Sequence, residues 1–318
     1  MNNYFKGVFF GVVTSATFGL IPLFSIPLLD SGLSIDSILF YRFLIASIVL
    51  GLMMALKKES FKIANADILP LVGLGGLYTS SALFLLMGYT YMDAGIATTL
   101  HFTYPIFVTL FMLIFFREKP AFTTVVAIIL AILGVASLSI TDGKISLSIF
   151  GMSIVVASSV VYALYIVAVN RSRLKKLSGT KLTFYVFSTC AILFFIKALT
   201  AETSLSSSYL IGGLQTLPNL YALGSIILLA ILPTVVSNIA LVRAISYVGG
   251  TMTSILGAME PVTAVFIGVV VFGEVLTFDI VMGILLILIA VSLIILSKPI
   301  QRRFKQLPFF KSRTKSLE

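Results

Sequence analysis

The sequence predicts an all-α integral membrane protein of ten transmembrane helices, arranged as two five-helix repeats of inverted topology. Three observations predict it. The 318 residues are 59% hydrophobic and only 11% charged, with a mean hydropathy of +1.12, against about 25% charged residues in a typical soluble domain. Apolar runs of membrane-spanning length recur along the whole chain. The second half repeats landmarks of the first.

The runs are 6–29, 36–56, 67–89, 94–116, 121–140, 146–169, 180–200, 219–243, 248–272 and 276–297. Lys6 alone precedes the first run, which is too long for a signal-peptide core and lacks a small-residue cleavage site, so it reads as a retained span. It carries Thr14 and Ser15. Span two carries Arg42, about six residues below its outer end. Span three carries Tyr78 and Tyr89, with "GLGGLY" at 73–78 reading as helix-packing glycine. Span four carries His101, Tyr104 and Pro105. Span six holds Ser158, Ser159, Tyr162 and Tyr165. Span seven holds Tyr185, the single Cys190, which has no partner for an internal disulfide, and Lys197, close enough to an end to snorkel. Span eight holds Thr234, Ser237 and Asn238. Span nine holds Glu260 and Pro261, about twelve residues from either end and so near the bilayer midplane. Only 201–218, rich in serine, forms a longer loop. Tyr and Phe supply any interfacial belt, since there is no tryptophan.

Lysine and arginine set the orientation. With the N-terminus inside, the inner segments hold Lys57, Lys58, Lys62, Arg117, Lys119, Arg171, Arg173, Lys175, Lys176 and Lys181. A basic tail follows at 298–318, with Lys298, Arg302, Arg303, Lys305, Lys311, Arg313 and Lys315. The outer segments hold Lys144 and Lys197 beside Asp30, Asp36, Asp93, Asp142, Glu202, Glu274 and Asp279. Both termini are therefore expected in the cytoplasm of a cell-membrane protein. The net charge of +10 belongs to these loops and to a lipid-facing tail, not to a nucleic-acid module.

The repeat runs at two offsets. At 144, Phe40-Tyr41-Arg42-Phe43 matches Phe184-Tyr185-Val186-Phe187, Gly7 matches Gly151 and Phe18 matches Tyr162. At 156, Tyr91 matches Tyr247, Pro105 matches Pro261 and Glu118 matches Glu274. The expected units are 1–143 and 144–297. Five spans per unit is an odd number, so the second enters the membrane inverted, a plan characteristic of secondary transporters. The retained glutamates read as carboxylates that pin a short loop.

"HFTYPIFVTLFMLIFFREKP" (101–120), "GAMEPVTAVFIGVVVFGEVLTFDIVMGILLILIAVSLII" (257–295) and "LFYRFLIASIVL" (39–50) resemble the EamA domains of the drug/metabolite transporter superfamily. The resemblance covers nearly the whole chain as two tandem domains. It implies a central cavity between the repeats and export or exchange of amino acids, metabolites or drugs. One departure stands out: Tyr104 before Pro105 is matched by Glu260 before Pro261, so the halves differ chemically.

Ionisable groups at membrane depth are functional candidates. His101 shares a helix face with Thr98, Tyr104 and Pro105; it is either a neutral hydrogen-bonded bundle residue, a cavity wall or a proton-coupling group. Arg42 stays charged and either locks span two through a pair, captures an anionic substrate group or gates. Glu260 and His101 are its partners by depth. Glu260, beside Thr253, Gly257 and Ala264, handles protons or substrate if unpaired, and serves structure if paired. Pro105 and Pro261 each free a backbone carbonyl, of His101 and Gly257, and so mark helix breaks. Tyr78, Tyr162 and Asn238 complete the expected substrate site for a small molecule, with protons a candidate coupling ion and no metal or cofactor. No P-loop, H-E-x-x-H or intramembrane Asp pair occurs, which argues against an ATP-driven pump or an enzyme. The alternative to alternating access is a non-coupled pore or lipid scramblase. The sequence leaves substrate, direction and oligomeric state open.

Overall fold

The computed structural model describes residues 3–117, 122–141, 144–145, 148–200, 209–211 and 213–306. Glu118, Lys119, Asp142, Glu202, the serines at 204 and 206–208, and the tail beyond 306 lie outside the described residues. The chain is nearly all helix: α1 Asn3–Phe18, α2 Ile21–Asp30, α3 Ile35–Leu56, α4 Asn65–Gly88, α5 Ala94–His101, α6 Tyr104–Phe116, α7 Phe122–Ser139, α8 Ile149–Arg171, α9 Gly179–Thr200, α10 Leu220–Ala230, α11 Ser237–Leu256, α12 Met259–Phe272 and α13 Phe278–Gln306. A π-helical turn, Ile231–Val236, joins α10 to α11. Among the described residues, seven helical runs are long and apolar enough to cross a membrane, and three further apolar helices are shorter. Two short antiparallel ladders form: Ile140–Thr141 with Lys144–Ile145, at the end of the fifth run and the connection after it, and Tyr209–Ile211 with Leu214–Gln215, in the 201–218 loop.

Local chemistry explains where helices start. Ser34, Ser148 and Asn219 cap α3, α8 and α10 by accepting from the amides of Ser37, Gly151 and Ala222. Some expected single spans are broken. The run 6–29 splits at Gly19–Leu20 into α1 and α2, and 94–116 splits at Phe102–Thr103 into α5 and α6. The run 248–272 splits at Gly257–Ala258, between α11 and α12. Inside α11 only Gly249 leaves helical geometry, at φ +78°, a conformation that favours glycine.

Packing follows the sequence repeat. On α3 and α9, Phe40 meets Phe195 (centroids 5.6 Å), Phe43 meets Phe187 (5.4 Å) and Gly51 lies under Phe184. Residue numbers fall on one helix as they rise on the other, so the two run antiparallel. The same holds for α7 and α13, where Gly134 and Leu138 face Ile287 and Gly283. Gly7 closes on Tyr247, and its repeat match Gly151 closes on Tyr91, the match of Tyr247. Tyr41 donates to the carbonyl of Gln215 (2.8 Å), while its match Tyr185 donates to that of Phe61. α6 and α12 end alike. Arg117 (φ +52°) bonds back to Met112 O and Gly273 (φ +70°) to Gly268 O, both pairs at offset 156. Lys197, expected to snorkel, pairs with Asp36 at 2.7 Å.

The glycine contacts yield a stability prediction. A Cβ on Gly151 would lie 2.5 Å from Tyr91 Cβ, and one on Gly7 would lie 2.3 Å from Val248 Cγ1, whereas Gly73 has nothing within 4 Å. Gly151→Ala and Gly7→Ala are each expected to cost about 1–3 kcal/mol by overpacking and to lower the thermal unfolding midpoint in detergent. Gly73→Ala should leave the midpoint unchanged.

Candidate functional site

The helix breaks converge. Gly19 sits against the backbone of the first turn of α12: a Cβ there would lie 2.5 Å from the carbonyl oxygen of Glu260 and 2.6 Å from Thr263 Cβ. The two prolines occupy the first turns of α6 and α12 rather than mid-helix positions, as suits a residue without an N–H. The carbonyl of Gly257, expected to be freed by Pro261, accepts from the amide of Glu260 at 2.9 Å. Two further prolines, which the sequence reading did not single out, mark breaks as well: Pro22 opens α2 and Pro233 lies in the π-turn. Their signal, a proline inside an apolar run, was the same as that of Pro105 and Pro261.

Around the breaks lies a cavity of about 160 Å³. An apolar cavity of about 150 Å³ holds benzene, so this one suits a small solute. Of the expected site residues, Arg42, Tyr78, His101, Tyr104, Tyr162 and Glu260 all line it. Asn238 is not among its lining residues; its side-chain amide donates to Thr234 O (2.6 Å). Lining residues not singled out for the site include Thr14, Phe18, Ser81, Leu85, Leu241 and Ile245.

Each polar wall group has a definite environment. Arg42 is 5% exposed. Its Nε donates to Thr234 Oγ1 at 2.9 Å, and its Cζ lies 5.3 Å from the Phe43 ring centroid. Neither Glu260 nor His101 pairs with it, although all three share the cavity. His101 Nδ1 lies 3.0 Å from Ser158 Oγ, which donates to Ser81 O at 2.7 Å. His101 Nε2 has no partner among the described residues. Tyr162 stands at the centre of the aromatic wall, 4.9 Å from Tyr104 at 90°, 5.4 Å from His101 and 6.0 Å from Tyr78. Among the described residues, the Glu260 carboxylate makes no ion pair or hydrogen bond.

The remaining buried hydroxyls tie helices together around this wall. Ser81 and Ser158 bond α4 to α8, Thr103 and Ser159 the α5–α6 break to α8, and Thr14 bonds Ser237 O between α1 and α11. Glu274, expected to pin a short loop, accepts from the amides of Ala94 (2.6 Å) and Gly95 (3.3 Å) and so caps α5 from the α12–α13 connection.

Comparison with known proteins follows this geometry. The model of the EamA-like transporter family matches twice, at residues 5–140 and 149–296. An uncharacterized transporter of Archaeoglobus fulgidus is 33% identical over 144 residues, 45% of this chain and 49% of that protein. The uncharacterized transporter sll1319 of Synechocystis sp. is 28% identical over 226 residues, 70% and 65% of the two chains. The uncharacterized transporter YdfC of Bacillus subtilis is 25% identical over 249 residues, 77% of each. The matched segments thus span about half and about two thirds of the first two relatives. A crystal structure described only as that of a protein shares the fold, with a TM-score of 0.62, 15% identity, and coverage of 95% of this chain and 98% of that one.

Cys190 is fully buried and makes a clean control for cavity access. Ala82→Cys, on the cavity wall, is expected to react with a small water-soluble methanethiosulfonate at least roughly tenfold faster than Cys190 of the parent chain, since thiol reactivity follows exposure. Mass spectrometry of the labelled protein reads the result, and equal rates would contradict solvent access.

Proposed function

The chain belongs to the EamA-like transporter family, and on that premise we propose that it is a secondary-active transporter moving small organic solutes such as amino acids, metabolites or drugs by alternating access, as an exporter or exchanger. The single observation that carries this reading is the cavity. Four spans broken at or near a proline meet there, and it presents a buried cation, a carboxylate and an aromatic wall to one small volume. Irregular backbone at membrane depth is tolerated where it lines such a cavity, and transporter sites are built this way.

In this reading ten helices form two inverted repeats, 1–143 and 144–297, followed by the basic tail at 298–318. The antiparallel pairs α3–α9 and α7–α13, and the exchange of matched contacts by Gly7 and Gly151 and by Tyr41 and Tyr185, support an axis in the membrane plane. Lysine and arginine counts support a cell-membrane orientation with both termini cytoplasmic. Rocking of one group of helices against the other would expose the cavity to each side in turn. The breaks at Gly19, Phe102 and Gly257 let half-helices tilt without straining a continuous span.

The wall groups take distinct roles. Glu260 binds a proton or a cationic group of the solute, because an unpaired carboxylate at this depth needs one or the other. Arg42 faces the anionic end. Tyr104, Tyr162, Tyr78 and His101 hold the apolar body. Because Arg42 is matched by Val186 and Glu260 by Tyr104, the solute binds in one orientation relative to the repeats.

Reconstituted proteoliposomes test the proposal with a screen of amino acids, nucleosides and cationic dyes. Flux is expected to saturate and to be stimulated by substrate on the opposite side. An imposed pH gradient should change the initial rate of the parent chain and not that of Glu260→Gln. Single-channel conductance without trans-stimulation would instead favour a pore. Flux that ignores the gradient and survives Glu260→Gln would remove the proton-coupled version.

A further inference from the structure

Arg42 carries five N–H donors on a planar fork. Only Nε is used, on Thr234 Oγ1; among the described residues neither Nη group has an acceptor. The side chain is 95% buried, at 5% exposure, and it lines the cavity. A guanidinium held at Nε keeps its two Nη groups as a pair, the edge that takes both oxygens of a carboxylate.

What holds it is the break in the eighth apolar run. Pro233 has no N–H, so the carbonyl of Leu229 loses its α-helical donor, and the backbone widens into the π-turn Ile231–Val236. The hydroxyl of Thr234 takes the donor's place on Leu229 O at 2.8 Å. That commits its single proton and leaves only lone pairs toward Arg42. The turn is closed by Ser237 Oγ on Pro233 O (2.7 Å) and Asn238 Nδ2 on Thr234 O (2.6 Å), and tied to α1 by Thr14 on Ser237 O (2.7 Å). Thr234 is fully buried. An isolated threonine hydroxyl rotates freely between donor and acceptor; this one is fixed as an acceptor.

We infer that the π-turn, through Thr234, sets Arg42 as a carboxylate-binding subsite whose two Nη groups take the anionic end of a small solute. The inference rests on the cavity being a substrate site. Arg42 is the one Lys or Arg among the cavity-lining residues, and Glu260 shares the space. One cation beside one carboxylate suits a monoanionic carboxylate and opposes a phosphate dianion. The volume, about that of a benzene site, limits the body behind the carboxylate to one ring or a short chain. Thr234 touches no solute and is a positioning residue.

Benzoate and its neutral isostere benzamide separate the possibilities. Full-length protein in nanodiscs is titrated with each, and thermal unfolding reports binding. Benzoate is expected to raise the midpoint and benzamide not. Thr234→Val, which keeps shape and loses the hydroxyl, is expected to weaken benzoate by about tenfold or more, the usual scale for a hydrogen bond to a charged group. Thr234→Ser should remain within about threefold of the parent, and Arg42→Gln should abolish the difference between the two probes. Should Thr234→Val fail to fold, Pro233→Ala is the second variant. It returns an N–H to Leu229 O, releases the Thr234 proton and is expected to cost benzoate selectivity likewise. No preference for benzoate in the parent chain, or full preference in both Thr234→Val and Pro233→Ala, would overturn the inference. Benzoate selectivity that depends on Thr234, in a protein that moves no solute across vesicles, would instead strike the transport reading alone.

Discussion

Hydrocarbon supplies no hydrogen bonds, so every backbone amide, carbonyl and charge inside the bilayer must find its partner within the protein or in an internal cavity. This constraint governs the whole architecture. It forces helices nearly everywhere, and it confines their interruptions to places where another group can act for the lost bond. The carbonyl of Gly257 is taken by the amide of Glu260, and that of Leu229 by the hydroxyl of Thr234. The breaks then cluster around the cavity. Gly19 can lie on the carbonyl of Glu260 only because no side chain stands between them. The same demand explains the buried serines and threonines. Ser81 with Ser158, Thr103 with Ser159 and Thr14 with Ser237 are satisfied across helices and fix the wall that carries His101 and Tyr162.

Symmetry builds the scaffold and asymmetry equips it. Residues that match between the halves meet one another or exchange partners: Phe43 with Phe187, Gly7 with Tyr247 as Gly151 with Tyr91, and Tyr41 and Tyr185 each with a carbonyl from the other half. Arg117 and Gly273 end their helices by the same left-handed turn, although only one of them is a glycine. The charged groups break the pattern. Val186 stands where the first half has Arg42, and Tyr104 where the second has Glu260. Packing positions are under a shared geometric demand, and a substitution in one half loses a contact in both. At the cavity the matched positions Tyr104 and Glu260 line one space with different chemistry, as do Phe18 and Tyr162.

The apolar helices, the repeat and most of the cavity wall were legible because each leaves a one-dimensional trace. Hydropathy marks a span, an equal offset marks a repeat, and an ionisable residue in an apolar run marks depth. Arg42, His101 and Glu260, each an ionisable residue within an apolar run, line one cavity. Rotation was not legible. Arg42 and Glu260 line one cavity, yet Arg42 turns to Thr234, because partner choice depends on which helix faces meet. Asn238 looked like a site residue on polarity alone, but its amide serves the π-turn. Pro233 has no match at either offset, and its effect is seen only when the missing donor at Leu229 is counted.

The pairing of Arg42 with a neutral hydroxyl bears on how such a site can work at all. A buried Arg–Glu pair satisfies itself and resists separation, since removing one partner strands the other charge in low dielectric. Thr234 satisfies one donor and leaves the formal charge uncompensated, and Glu260 has no cation against it. On the proposed reading, a charged group left without a counter-ion inside the membrane is costly to the unliganded protein. In the proposed site, that cost would also make binding selective. A solute or proton that neutralises either group recovers energy that a neutral solute of the same size does not, so charge complementarity rather than contact area distinguishes ligands in a space this small. A mutual Arg42–Glu260 bridge would remove that difference and close the cavity on itself. The π-turn instead offers Arg42 a neutral acceptor on the eighth apolar run, which holds Nε without neutralising the guanidinium.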